Sequence, residues 1–246
     1  MDKMLFVAMN GAKQAMQAQN AISHNLANAS TIGFKANPDT FTNWHVEGPG
    51  RNTRVFNQLE MNGSNMLAGN FATTNRELDV AVNGDGWIAV QAPDGTEAYT
   101  RAGDLRLDEL GQLTNGVGHP VLGTGGPIII PQSEKIEIGA DGSISTVPVG
   151  QAVNALAVVD RIKLVNPPVD QLQKGPDGLF RMKDGQLAPA AADVTLASGV
   201  LEHSNVNAVA ELVDLINNAR QFEANVKLMT TAKENDEVSA RLLRSS

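Results

Sequence analysis

Apolar positions recur at two different periods along this chain. From Met1 to Ala29, the positions Leu5, Ala8, Ala12, Ala15, Gln19, Ile22, Leu26 and Ala29 alternate steps of three and four, which places them on one seam of an α-helix. The seam predicts a helix from about Asp2 to Asn28, roughly 40 Å long at the α-helical rise. Only Asp2, Lys3 and Lys13 are charged there, so a narrow apolar stripe is flanked by amides instead of ions. Asn25, Asn28, Ser30 and Thr31 compete for backbone hydrogen bonds and Gly33 tolerates positive φ, so the helix is expected to end here.

The other end of the chain repeats the spacing. Leu212, Leu215, Ala219, Phe222, Val226 and Met229 keep it, and it continues weakly through Lys233 and Asp236 to Ala240 and Leu243. Asn205 or Asn207 is the expected N-cap, and Glu211 suits the positive end of the helix dipole. One helix leaves the middle of the chain and the other returns from it, so the simplest packing is an antiparallel pair.

Between them the period shortens to two. Ile136, Ile138 and Ile144 surround an Asp-Gly turn with Lys135 and Glu137 directed the other way, and Ile162 and Leu164 alternate with Arg161 and Lys163. Asn-Gly and Asp-Gly turns at 83–86, 93–95, 140–142, 176–178 and 183–185 punctuate the region as hairpin turns do. The expected fold is α+β: long N- and C-terminal helices paired as an antiparallel coiled coil, with a central mostly antiparallel β domain. The expected divisions are 1–36 for the first helix and its turn, 37–77 for an extended connector, 78–201 for the β domain and 202–246 for the second helix. The connector lacks a sustained period, but Phe41, Trp44, Phe56 and Phe71 argue that it packs against something.

Composition narrows the function. A net charge of −8 offers no basic surface for a phosphate backbone, so neither nucleic acid nor an anionic membrane is an expected partner. With no cysteine, disulfides, thiolate metal sites and thiol nucleophiles are excluded. The start of the chain lacks the basic, apolar and small-residue order of a secretory signal, so any export is expected to use another route. No apolar run approaches the roughly 20 residues that span a bilayer.

Local motifs supply little chemistry. His24, His45, His119 and His203 have no metal-ligand spacing, and no metal or cofactor is expected. Asp94, Asp141, Asp177 and Asp184 each precede a turn glycine, where a carboxylate caps its own backbone more readily than it serves as an acid or base. The glycine-rich run 123–127 is followed by apolar residues of strand character instead of a helix, so it is not read as a phosphate cradle. No catalytic residue is assigned. Two rivals stand beside a structural reading: a periplasmic β-rich cell-wall hydrolase with helical clasps, and an adhesin-like binding module.

Three stretches, in this order, resemble the bacterial flagellar axial proteins of rod and hook. They are NLANASTIGFKA from Asn25, LDVAVNGDGWIAVQAPDGTEAYTRAGDLRLDELGQL from Leu78, and SNVNAVAELVDLINNARQFEANVKLMTTAKE from Ser204. Ile32, where that family often has proline, and Trp87, where it often has phenylalanine, are the departures. The short N-terminus and compact connector are most similar to the proximal rod members, with the distal rod or another axial subunit as the alternative.

The resemblance implies a structural subunit of the flagellar basal body, polymerising in the periplasm into a torque-transmitting rod. It implies other rod subunits, proximal and distal, and copies of the chain itself as partners, and passage through the flagellar type III export apparatus without a cleaved signal. It implies assembly through Leu5, Ile22 and Leu26 on the first helix and Leu212, Leu215, Phe222, Val226 and Met229 on the second. Asn25, Asn28, Gly33 and Phe34 would set the turn between inner tube and outer wall.

Overall fold

The computed structural model describes residues 2–37, 40–45, 55–60, 63–148, 150 and 156–244. The chain divides into two compact units: Met1–Asn28, Asn37–Asn62 and Val206–Ser246 form one, and Ala29–Ala36 with Gly63–Asn205 form the other.

The first unit is built on α1, Asp2–Ala27, and α2, Ala208–Arg244. Asn207 is the N-cap of α2: its Oδ1 accepts from the amides of Val209 at 3.1 Å and Ala210 at 3.2 Å. Two contacts fix the direction of the pair. Asn25 of α1 donates to Glu211 of α2, and Gly11 lies so close to Asn225 that an added Cβ would stand 2.9 Å from its Oδ1. Each facing pair of positions adds to 236, so the helices run antiparallel.

On α1 the buried positions are Ala8, Ala12, Ala15, Ala18, Ala21, Ile22 and Asn25. This stripe is wider than the expected seam because α1 meets a second neighbour besides α2, the strand Val55–Glu60. That strand pairs antiparallel with Thr40–His45, so the expected connector contains a hairpin. The side chains of Phe41, Trp44 and Phe56 in it, and of Leu243 in α2, lie outside the described residues, while Phe71 is half exposed.

The less exposed face of α2 runs through Glu211, Leu215, Asn218, Ala219, Phe222, Asn225, Met229, Ala232, Asp236 and Ser239. It shares Leu215, Ala219, Phe222, Met229 and Asp236 with the expected seam and departs at Leu212, Val226 and Lys233. There Glu211, Asn225 and Ala232 turn inward in place of Leu212, Val226 and Lys233: Glu211 accepts from Asn25, and α1 offers alanines and Gly11, where close approach suits the small or amide side chains of Ala232 and Asn225.

Every strand pairing in the second unit is antiparallel, as expected. Its largest sheet orders Leu164–Val165, Trp87–Gln91, Glu97–Thr100, Phe180–Met182 and Leu172–Lys174 side by side. A second sheet joins Ala157–Arg161, Ser143–Pro148 and Ser133–Ile138, and further two-stranded ladders close the unit. Val80, Val82, Ile88, Leu105, Leu113, Ile128, Ile144 and Ile162 fill one core, and a smaller cluster gathers around Trp87, Tyr99 and Phe180. Ile138, Ile162 and Leu164 point inward, whereas Lys135 and Glu137 pair with each other on the outer side.

Candidate assembly site

The helices expose apolar side chains away from their shared face. On α1, Phe6 is 58% exposed and Met9 and Met16 are similar, with Leu5 also at the surface. On α2, Val209 is 72% exposed, and Leu212, Val213, Ile216, Val226, Leu228 and Val238 are exposed too. Of the residues singled out in the sequence, Leu5, Leu212 and Val226 are therefore at the surface and Ile22 is buried. Leu26, Leu215, Phe222 and Met229 are half-buried along the pair.

Asn25 holds the end of α1. Its side chain, 3% exposed, donates to the carbonyl of Asn37 at 3.0 Å and to Glu211 Oε1 at 3.2 Å, and accepts from the Asn37 amide at 2.9 Å. Its amide supplies donors and an acceptor from one short side chain, and these bonds use both of its donors and one of its two acceptor positions. Asn28 closes the last turn, its Nδ2 donating to the carbonyl of His24 at 2.9 Å.

In the β unit, residues 29–36 form a strap. Gly33 has φ +67°, and a Cβ there would stand 2.3 Å from the carbonyl carbon of Arg101, so both conformation and space demand glycine. Its amide donates to the carbonyl of Glu202 at 2.8 Å. The ring of Phe34 is buried beneath Lys174, whose Nζ lies 3.8 Å from the ring centroid and donates to the carbonyl of Lys35 at 2.6 Å. Burial lowers the Lys174 pKa to about 8. Asn205, the alternative cap considered for α2, instead accepts from the amide of Ala36 and donates to the carbonyls of Asn65 and Leu67, clamping the strap.

Beneath the strap lies a buried ionic triad. Lys35 Nζ reaches Glu202 Oε1 at 2.7 Å and the Leu67 carbonyl at 2.8 Å, and Arg101 Nη1 reaches Glu202 Oε2 at 3.2 Å. Arg101 also donates to the Gly84 carbonyl at 2.8 Å and stands 5.3 Å from the Trp87 ring centroid. The Gly69 amide adds a bond to Glu202 at 3.0 Å. Burial pushes the Lys35 pKa down, against the opposing pull of Glu202. None of the three residues was assigned a role from the sequence, although two carried a signal. Lys35 is the first Lys, Arg, Asp or Glu after Lys13, and Glu202 is the only one between Asp193 and Glu211. A lone charge in a long uncharged stretch calls for a partner.

The β unit also has a cleft of about 440 Å³, lined in part by Glu97, Asp141, Arg161 and Lys163. Its ionisable groups are committed to one another or to turns. Lys163 pairs with both oxygens of Glu97 at 2.7 and 2.8 Å, and the Ser143 hydroxyl holds the Asp141 carboxyl below its usual range. Asp94, Asp177 and Asp184 likewise cap the amides of Thr96, Leu179 and Gln186, as turn carboxylates do.

Three family profiles match in chain order. They are described as flagella basal body rod protein at residues 5–35, flagellar hook protein FlgE/F/G D1 domain at 81–146, and flagellar basal body rod FlgEFG protein C-terminal at 197–242. The chain is 41% identical to the flagellar basal-body rod protein FlgF of Escherichia coli and equally to that of Salmonella typhimurium, in each case over the whole of both proteins. To the flagellar basal-body rod protein FlgG of Bacillus subtilis it is 32% identical, over 94% of this chain and 95% of that one. The chain belongs to the FlgF family of flagellar basal-body rod proteins, a structural family and not an enzyme family.

Proposed function

We propose that the chain serves the proximal rod as a structural subunit that polymerises through its terminal helices. The observation that carries this reading is the set of large apolar side chains left exposed on both helices. Exposed apolar surface on this scale favours association in water and suits a contact in a packed wall. The 41% identity to the FlgF proteins of Escherichia coli and Salmonella typhimurium, above the 32% to the FlgG protein of Bacillus subtilis, supports the proximal position.

In this reading segment 1–36, a helix and its turn, and segment 202–246, with the second helix, supply an inner tube in which Asp2–Ala27 and Ala208–Arg244 wind as an antiparallel coiled coil, 37–77 connects, and 78–201 makes the outer wall. Leu5, Leu212 and Val226 meet neighbouring subunits. Ile22, Leu26, Leu215, Phe222 and Met229 hold the pair that presents them. Asn25, Asn28, Gly33 and Phe34 set the turn from tube to wall. The partners are other rod subunits, proximal and distal, and copies of the chain, reached after passage through the flagellar type III export apparatus without a cleaved signal. The site of action is the periplasmic part of the basal body. Repeated head-to-tail contacts that do not close generate a helical assembly able to carry torque.

The test is a tagged chain lacking 206–246, followed into purified basal bodies. The expected result is absence from the rod while, in a Trp44→Phe background, Trp87 fluorescence still reports a folded β unit. Incorporation of the truncated chain at the normal level overturns the reading.

A further inference from the structure

Glu202 holds two cations, and the fold carries them differently. Arg101 is fixed inside the β unit, where its guanidinium donates to the carbonyls of Val82 and Gly84 and lies over the Trp87 ring. Lys35 rides on the strap 29–36, and no residue of the strap belongs to either apolar cluster of the unit. Apart from the Phe34 ring, polar contacts hold the strap. The Gly33 amide donates to the Glu202 carbonyl at 2.8 Å, the Ala36 amide to Asn205 Oδ1 at 2.8 Å, and the Asn205 amide to the Phe34 carbonyl at 3.3 Å. Lys174 adds its bond to the Lys35 carbonyl.

A strap held in this way can lift without breaking the core. Its departure would take the Lys35 ammonium into water, which removes the desolvation that already pulls its pKa down. Glu202 would keep Arg101 at 3.2 Å and the Gly69 amide at 3.0 Å, so no bare carboxylate would be left behind. A lone Lys–Glu pair lacks that provision. The second cation therefore makes opening a smaller event than unfolding. Three of the strap's partners also lie far along the chain: Lys174, Glu202 and Asn205 are 139, 167 and 169 positions from the strap residues they bind. A chain that emerges from its N-terminus carries residues 1–36 without these partners until 202–205 follow.

We infer that residues 29–36 are a latch, which closes on the finished β core through segment 202–205 and opens as a unit while that core stays folded. Arg101 and Glu202 are the fixed part of the catch, and Lys35 is the removable part. The strap is thus fastened last, by residues that directly precede α2 in the chain. The latch is a property of the isolated chain and goes beyond the rod reading.

Hydrogen exchange of the purified full chain, followed amide by amide with NMR, tests the latch. The amides of Gly33 and Ala36 report on the strap. Those of Leu113, Val121 and Ile128, which bond to carbonyls within the larger apolar cluster, report on the core. Gly33 and Ala36 are expected to be protected, yet to exchange at least about tenfold faster than the three core amides. Asn205→Ala, and Phe34→Ala as the second variant, are each expected to speed exchange at Gly33 by a further factor of about ten and to leave the core amides unchanged. Strap and core amides that exchange in step in the unmodified chain, or variants that speed both sets alike, would mean that the strap opens only by global unfolding and would overturn the latch. Unprotected Gly33 and Ala36 overturn it as well, as does a Gly33 rate that neither variant alters.

Discussion

The Lys35 ammonium lies 2.7 Å from the Glu202 carboxylate, with both side chains only 1% exposed, and joins residues 167 positions apart. Glu202 is shared with Arg101, so two buried cations depend on one anion. Glu202→Gln leaves both uncompensated and is expected to cost about 3–5 kcal/mol, the usual consequence of breaking a buried pair from one side. Lys35→Met leaves the Arg101–Glu202 pair intact and removes a desolvated charge, so it is expected to cost less than half as much. Urea unfolding followed by Trp fluorescence measures both, and equal losses would contradict the asymmetry.

Gly33 and Gly95 separate conformation from space. Both have positive φ, +67° and +81°, but a Cβ at Gly95 meets nothing within 4 Å whereas one at Gly33 overlaps the Arg101 backbone. Gly95→Ala is expected to cost about 1 kcal/mol for the left-handed backbone alone. Gly33→Ala is expected to exceed about 2 kcal/mol because backbone must also move. The difference in urea midpoint between the two variants is the readout.

Lys174 and Tyr99 give stability a dependence on pH with opposite signs. The folded pKa of Lys174, about 8, lies below its ordinary 10.5, so above pH 8 the folded state binds fewer protons than the unfolded and stability rises. Burial raises Tyr99 from 10 to about 12, so between pH 10 and 12 the folded state retains a proton that the unfolded state loses, and stability falls. The clean window is therefore pH 8–10. The urea midpoint is expected to increase across it, and Lys174→Met to flatten the slope; an unchanged slope in that variant would remove Lys174 as its source.

Residues 29–36 belong to the β unit, which sets where the chain can be cut. In a Trp44→Phe background, removing 2–28 is expected to leave Trp87 fluorescence and the unfolding midpoint of the β unit close to those of the longer chain. Removing 2–36 also takes away Gly33, Phe34 and Lys35, exposes Glu202 and its surroundings, and is expected to lower that midpoint. Limited proteolysis should distinguish the two, with faster cleavage near 63–70 in the shorter chain, where the Leu67 carbonyl and Asn65 meet the strap.

Much of this architecture is legible in the spacing of apolar residues. The first helix, expected over Asp2–Asn28, spans Asp2–Ala27, and the cap at Asn207 was among the two expected. Periodicity is local, and so it captured the helices and the Asp-Gly hairpins. It could not set the inward face of α2 to better than one residue, because that choice depends on the alanines across the interface. It also passed over Lys35, Arg101 and Glu202, whose meaning lies in long-range pairing; only the isolation of two of them in uncharged sequence hinted at it.

The alanines that line α1 have a mechanical consequence. Alanine has no side-chain rotamers, so the buried stripe through Ala8, Ala12, Ala15, Ala18 and Ala21 has little freedom with which to absorb a load by rearranging. Deformation there must move backbone against its neighbours, and Gly11 beside Asn225 brings two such surfaces close together. The first helix is thus seated as a stiff, low-compliance element, in which bending or shear is resisted by packing instead of dissipated in side-chain motion.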